Sequence, residues 1–173
     1  MDKYSFKGWK FWEKVEYGIG LGSMLFMAIA TTIFGFVYKK TLPAEFPAIP
    51  LGFWIFFGGW VWDSMAHKSI YRNKIDKDEL VVHNFMVWGS GAPLLICMIL
   101  AYWNKWLMLP FIITFLFLKT MYSLIDECSM HWVRFKEGRS DLIEMHAHYF
   151  QFLGEILHDT AWLLWIYKYN YMF

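Results

Sequence analysis

Long apolar runs separated by short polar stretches dominate the pattern of this chain. Five of the runs approach or reach the roughly 20 residues that an α-helix needs to cross a bilayer. They cover residues 16–37, 48–67, 83–103, 106–131 and 142–167. Because open sheet edges are not stable in lipid, the pattern predicts helices throughout. The expected fold is an all-α integral membrane protein with about five transmembrane helices.

Polar residues mark where the predicted helices end. Two prolines in residues 41–47 prevent a helix from running through the first connection. Asn104 and Lys105 form a very tight connection between the third and fourth runs. Gly138 can cap the end of the fourth helix, and Ser140 the start of the fifth. Residues 1–173 are predicted to form a single transmembrane domain, with 1–15 as an interfacial amphipathic helix and 16–173 as a helical bundle.

Composition and charge support this setting. The chain is 58% hydrophobic and 22% aromatic, which is too apolar for an ordinary soluble domain. Its basic residues divide unevenly between the two predicted surfaces, and the richer side should be cytoplasmic, in a cell inner membrane. The richer side holds Lys3, Lys7, Lys10, Lys14, Lys68, Arg72, Lys74, Lys77, Arg134, Lys136 and Arg139, and the other side holds Lys39, Lys40, Lys105 and Lys168. The net charge is only +1, and the sequence shows no basic patch that would bind a nucleic acid. We therefore expect no nucleic-acid partner.

Metal-capable side chains recur in two stretches of similar layout. In each, a carboxylate lies four residues before a histidine, and a second histidine follows 16 or 17 residues later. The two sets are Asp63, His67 and His83, and Glu127, His131 and His148. Residues four apart share one face of an α-helix. The pattern therefore predicts two pseudo-repeated helical hairpins that form a four-helix bundle.

The register of these hairpins brings the ligands to one depth. Antiparallel helices place residues at the same height when they lie equally far from the connecting loop. A loop centred near residue 75 pairs His67 with His83, and a loop centred near 139 pairs His131 with His148. The two carboxylates then lie one turn deeper. We therefore expect six ligands to converge near the cytoplasmic surface.

Three further residues are candidate ligands. Glu144 lies one turn before His148 on the same face, where it can bind a metal directly or orient an imidazole. Glu155 and His158 form a Glu-x-x-His pair about two turns deeper. This pair can complete the coordination, bridge two metals or hold a second site. His146 points away from the His148 face and is predicted to be a surface histidine.

Two imidazoles and one carboxylate suit a divalent first-row metal, and on non-haem iron they leave positions open for oxygen and substrate. Two facing sets predict a dinuclear centre of two first-row transition metal ions, iron first, with copper or another divalent metal as alternatives. The expected function is a membrane-embedded oxidase or oxygenase, such as a hydroxylase, desaturase or monooxygenase component. Its substrate would be apolar or lipid-like. Its partners would be the bilayer, an electron donor protein, and further copies or a larger membrane complex.

The histidine cluster at the cytoplasmic face resembles that of the integral-membrane fatty-acid hydroxylases and desaturases. The His-x-x-His-His boxes of those enzymes are missing here, and carboxylates take their place. The set of Asp63, His67 and His83 is similar to the metal site in one membrane subunit of copper-dependent methane and ammonia monooxygenases. That similarity covers three residues and assigns no family.

Three other functions fit the same residues. A divalent metal transporter or sensor needs ligands near mid-membrane, for which Glu155, His158 and Asp159 are the candidates. A haem-binding electron carrier would use the four histidines of the two sets as axial ligands and leave the carboxylates without a direct role. A structural subunit of a membrane complex would need no metal. An absorption spectrum separates haem from non-haem metal, and metal uptake into vesicles separates a carrier from an enzyme.

Overall fold

The computed structural model describes residues 11–40, 42–69, 77–138 and 142–168, without the side chains of 12–17, 64–69, 77, 80, 143 and 144. All regular structure in these ranges is helical, which confirms the all-α class. The prediction of an amphipathic helix over residues 1–15 lies largely outside the described residues, as does the predicted N-cap Ser140.

The helices of the described ranges fall into two compact units. In chain order the elements are α1 (Phe11–Tyr38), α2 (Ala48–Ser69), α3 (Lys77–Asn84), the π-helix π1 (Phe85–Gly91), α4 (Ala92–Ile125), the π-helix π2 (Asp126–His131), α5 (Trp132–Lys136) and α6 (Leu142–Lys168). Unit 1 comprises Met1–Asn73 and His146–Trp165, and unit 2 comprises Lys74–Met145 and Ile166–Phe173. The single domain and the pseudo-repeated hairpins stay predictions.

In unit 2, α4 is broken at Asn104, whose backbone angles (φ −150°, ψ 86°) are not helical. The break coincides with the connection predicted at Asn104 and Lys105. Oδ1 of Asn104 accepts a hydrogen bond from the backbone N–H of Leu107 at 3.0 Å, and so caps the helix that follows. The chain therefore has two arms here, residues 77–103 (the first arm) and residues 105–136 (the second arm).

Contacts between the arms pair residues that lie nearly equally far from Asn104. The hydroxyl of Ser123 donates to the sulfur of Met86 at 3.1 Å. The rings of Phe85 and Tyr122 stack with their centroids 5.5 Å apart. Because residue numbers rise along one arm as they fall along the other, the arms form an antiparallel hairpin.

Gly138 ends the second arm. Its φ of 69° is the left-handed conformation that favours glycine, and its N–H donates to the carbonyl of Phe135 at 3.0 Å. The N–H of Glu137 donates to the carbonyl of Val133 at 3.1 Å. The predicted C-terminal glycine cap is therefore confirmed.

In unit 1, α2 and α6 approach each other backbone to backbone. A Cβ on Gly52 would lie 2.7 Å from the carbonyl oxygen of Gly154, and a Cβ on Gly59 would lie 2.9 Å from that of Ala147. A Cβ on Gly154 would in turn collide with the backbone nitrogen of Phe56. Small residues permit such close approach, as is common where helices pack in membranes. We refer to this antiparallel contact as the glycine seam.

An aromatic cluster joins α1 to the other helices of unit 1. The ring of Phe46, which is buried, lies 5.1 Å from Trp165 in an edge-on arrangement and 5.6 Å from Phe34. Nε1 of Trp54 donates to the hydroxyl of Thr32 at 3.0 Å. Edge-on aromatic contacts of this kind add to the stabilisation from apolar burial. Unit 1 therefore has a core shared by α1, α2 and the later turns of α6.

Two stretches of the described chain are long and apolar enough to cross a membrane. They are Gly18–Tyr38, with 21 residues, and Val81–Lys136, with 56 residues. The second stretch contains the break at Asn104 and so comprises most of both arms. The number of membrane crossings stays a prediction.

Two neighbouring glycines of α2 provide a test of the glycine seam. Gly59→Ala places a Cβ against the backbone of α6, so we expect the free energy of unfolding to fall by about 1–3 kcal/mol. Gly58→Ala places its Cβ where no atom lies within 4 Å, and should be neutral or stabilise by up to about 1 kcal/mol. Denaturant unfolding in detergent measures both. Equal stability of the two variants would contradict the seam.

Candidate metal centre

Four metal-capable side chains meet in unit 2 where the arms lie side by side. Glu79 and His83 come from α3 in the first arm, and Asp126 and His131 come from π2 in the second arm. Glu79 and His83 are four residues apart and share one face of α3. His83 and Asp126 are level because both lie nearly equally far from the break at Asn104. The hairpin thus gathers donors that are distant in sequence.

The helix type of π2 decides which carboxylate faces His131. The backbone N–H of Trp132 donates to the carbonyl of Glu127, five residues earlier. With such bonding, residues five apart lie above one another, so Asp126 shares a face with His131. A regular α-helix would align Glu127 with His131 instead. The structure brings His131 against Asp126 and Glu79.

Asp126 lies between the two imidazoles. Its Oδ2 accepts a hydrogen bond from Nε2 of His83 at 3.0 Å, and its Oδ1 lies 3.3 Å from Nε2 of His131. Oε1 of Glu79 lies 3.9 Å from the same nitrogen of His131. Oε2 of Glu79 accepts a hydrogen bond from Nη1 of Arg134. A continuous series of polar contacts therefore runs from His83 to Arg134.

Most of this cluster is buried. Glu79 and His131 are 0% exposed and Asp126 is 3% exposed. The side chains at the two ends, His83 and Arg134, are 22% and 17% exposed. Burying a carboxylate costs several kcal/mol unless hydrogen bonds or a counter-charge compensate. Arg134 supplies one positive charge against two buried carboxylates, and a cation bound beside the imidazoles would balance the second.

The donor atoms have a spacing that suits a single metal ion. One donor atom from each of Glu79, His83 and His131 lies within 4.8 Å of the others. Bonds from a first-row ion to nitrogen or oxygen are about 2.0–2.2 Å long, so neighbouring donors lie roughly 3–3.5 Å apart. The distances of 3.0 and 3.3 Å to Asp126 fall in this range, and the 3.9 Å between Glu79 and His131 needs only a small shift.

Unit 1 holds a second contact between a carboxylate and a histidine. Asp63 follows Gly59 by one turn of α2, and its Oδ1 lies 3.4 Å from Nε2 of His148 on α6. The glycine seam sets this register because it fixes how α2 and α6 align. Asp63 is buried. Two of the predicted ligands are therefore brought together in unit 1.

The predicted ligands Glu155 and His158 are buried further along α6. The ring of His158 stacks on that of Phe53 with centroids 4.2 Å apart. Its Nδ1 lies 3.0 Å from Oδ1 of Asp159. Aromatic packing and a neighbouring carboxylate thus hold this imidazole in place. A metal role for Glu155 and His158 stays a prediction.

Several predicted ligands are not tested by these contacts. The side chains of His67 and Glu144 lie outside the described residues. Glu127 is half-buried and stays a predicted ligand. The predicted pairing of histidines across the loops near residues 75 and 139 joins residues of the two units, and it also stays a prediction.

Glu79 and Arg134 belong to this cluster but are not among the residues that the sequence predicts as ligands. Glu79 lies four residues before His83, the spacing that singled out the other carboxylates, so a signal for it was present. Arg134 lies three residues after His131, about one helical turn. Because arginine does not bind metals, that spacing carried no signal.

No protein-family model, curated protein sequence or solved structure matches this chain. No relative therefore supplies a function that could be transferred to it. The donor set of unit 2 and its position in the hairpin are the basis for a functional proposal.

The burial of His131 leads to a prediction for the metal-free protein. His131→Ala leaves Asp126 and Glu79 buried without the imidazole, so we expect the free energy of unfolding to fall by about 1–3 kcal/mol. His146→Ala removes an exposed imidazole and should change it by less than about 0.5 kcal/mol. Unfolding in detergent with a chelator present compares the two. Similar values would contradict a stabilising role for His131.

Proposed function

We propose that this chain is an integral membrane metalloprotein that catalyses the oxygen-dependent oxidation of an apolar or lipid-like substrate. Glu79, His83, Asp126 and His131 would bind a first-row transition metal. The observation that carries the proposal is the convergence of two imidazoles and two carboxylates from both arms, of which all but His83 are almost completely buried. Iron suits this donor set, with copper or another divalent metal as alternatives.

The donor set favours a reactive metal over a structural one. Structural zinc sites are tetrahedral and are built most often from cysteine and histidine. This cluster instead combines carboxylates with two histidines, and within it Glu79, His83 and His131 form a two-histidine, one-carboxylate set of the kind that on non-haem iron leaves positions open for oxygen and substrate. The bound metal would supply the oxygen chemistry, and the protein would supply binding, orientation and electrostatics.

Asp126 would have two tasks. Because its oxygens face Nε2 of both His83 and His131, it fixes the orientation of the two rings before a metal binds. Its negative charge then offsets part of the charge of the ion. The burial of Asp126 and His131 keeps most water away from this side of the site.

The position of the cluster along the hairpin supports a membrane setting. From Asn104 to Asp126 the second arm rises roughly 33 Å, close to the thickness of about 30 Å of a hydrocarbon core. Trp103 and Trp106, at the tip of the hairpin, are 78% and 70% exposed. Exposed tryptophans are typical of one bilayer interface, and basic residues such as Arg134 are typical of the cytoplasmic one. We therefore propose that the cluster faces the cytoplasm in a cell inner membrane.

Exposed apolar residues beside the cluster support an apolar substrate. Phe85 and Trp88 follow His83 on the first arm, and Leu124 precedes Asp126 on the second arm. In a bilayer these residues would contact lipid tails. A substrate dissolved in the bilayer could then reach the site at the partly exposed His83.

A second ion remains part of the proposal. Asp63 and His148 in unit 1 would bind it, together with His67. Two ions would give either a dinuclear centre or two separate sites. Magnetic coupling between the ions in an electron paramagnetic resonance spectrum distinguishes these arrangements.

The buried pair of His158 and Asp159 favours one competing function, a carrier of divalent metal. Ionisable residues inside apolar helices often mark an ion pathway. Uptake of zinc into liposomes that contain the protein would support the carrier. Oxygen consumption by the protein loaded with reduced iron, and none by the protein loaded with zinc, would support the oxidase.

Elemental analysis of the detergent-purified protein tests the metal site. We expect about one equivalent of metal per chain in the wild type and in His146→Ala, and its loss in His83→Ala and His131→Ala. The absorption spectrum should show no haem band. A second equivalent that is lost in His148→Ala would reveal the ion of unit 1. Absence of metal from the wild type after reconstitution would contradict the proposal.

Adjacent carboxylates of π2 provide a sharper test of the ligand set. Asp126→Asn should weaken metal binding about 10- to 100-fold, because Asp126 faces both imidazoles. Glu127→Gln should change it by less than about threefold, since π2 turns His131 toward Asp126. Competition with a metal-binding dye measures both affinities. The reverse order would support the α-helical alignment of Glu127 with His131.

A further inference from the structure

The two oxygens of Glu79 have different surroundings. Oε1 points toward the metal-capable imidazole of His131, at 3.9 Å from its Nε2. Oε2 accepts a hydrogen bond from Nη1 of Arg134. Glu79 is completely buried, so its carboxylate is fixed between these neighbours. One oxygen is directed to the metal position and the other is held by the guanidinium.

We propose that Arg134 restricts Glu79 to one metal bond and so keeps a coordination position open for a small exogenous ligand. This inference rests on the proposed metal site. A carboxylate can bind a metal through one oxygen or through both. While Arg134 holds Oε2, chelation by both oxygens would require that charge-assisted hydrogen bond to break. Arg134 is thus a positioning residue, one turn beyond the imidazole of His131.

The surroundings of Arg134 also indicate the class of ligand. With Glu79, Asp126 and two neutral imidazoles as ligands, a divalent ion has no net charge left, and the guanidinium adds one positive charge nearby. A small anion would therefore be favoured at the open position. The partly exposed side chains of His83 and Arg134 give such a ligand access from the surface. Azide is a suitable probe because it is small, anionic and a good metal ligand.

The test uses the full-length protein loaded with Co(II), whose visible bands report the number and type of ligands. Azide is titrated against the wild type, Arg134→Met and Lys136→Met. Lys136 is an exposed neighbour on α5 whose ammonium lies 5.1 Å from the centre of the Trp132 ring, so its variant controls for the lost positive charge. We expect Arg134→Met to bind azide at least about tenfold more weakly, since both oxygens of Glu79 can then reach the metal. Lys136→Met should match the wild type.

The double variant Glu79→Gln with Arg134→Met removes the carboxylate that could chelate and keeps the total charge of the wild type. A glutamine binds through its single carbonyl oxygen, so azide binding should return to within about threefold of the wild type. This variant also removes both charges of the buried pair, and it provides the comparison if Arg134→Met does not fold. Arg134→Lys, which retains a donor for Oε2, should bind azide nearly as well as the wild type.

The outcomes separate this inference from the metal site on which it rests. Co(II) binding with equal azide affinity in the wild type and Arg134→Met would overturn the inference and leave the metal site standing. Weak azide binding that persists in the double variant would also overturn it. Failure of the wild type to bind Co(II) would overturn the metal site, and the inference with it.

Discussion

Two carboxylates buried among apolar helices require positive charge or hydrogen bonds close at hand, and this requirement organises unit 2. Asp126 meets it with two imidazoles, and Glu79 meets it with an imidazole and a guanidinium. Glu79, Asp126 and their partners are gathered at the end of the hairpin far from Asn104. A cluster that holds two negative charges against one permanent positive charge is suited to take up a cation.

Unit 1 positions its polar contact by a different means. Gly52, Gly59 and Gly154 allow the main chains of α2 and α6 to touch, so the alignment of the helices depends on backbone atoms. Asp63 then reaches His148 as a consequence of that alignment. Contact between main chains involves no side-chain rotamers that could adjust. It therefore fixes the positions of Asp63 and His148 along the helix axes more firmly than packing through long side chains would.

The ends of several helices could be predicted because each depends on a single residue. The break at Asn104 and the left-handed Gly138 fall where the sequence predicted helix ends, because both depend on local chemistry. The site was less accessible to prediction. The sequence predicts that histidines pair across the loops near residues 75 and 139, whereas the described contacts of unit 2 follow the turn at Asn104. The choice between Asp126 and Glu127 depends on one shifted backbone hydrogen bond, which no residue type in π2 signals.

The hydrogen bond from Trp132 to the carbonyl of Glu127 makes π2 a π-helix, and an α-helical winding of the same residues would shift this bond by one residue. A π-helical turn amounts to an α-helical turn with one residue inserted, and the two forms differ in which neighbour lies above His131. The chain has a carboxylate at each of the two positions, Asp126 for the π form and Glu127 for the α form. Rewinding this one turn would exchange one acidic partner of His131 for another of the same charge. Either winding of these six residues would therefore place a carboxylate beside His131.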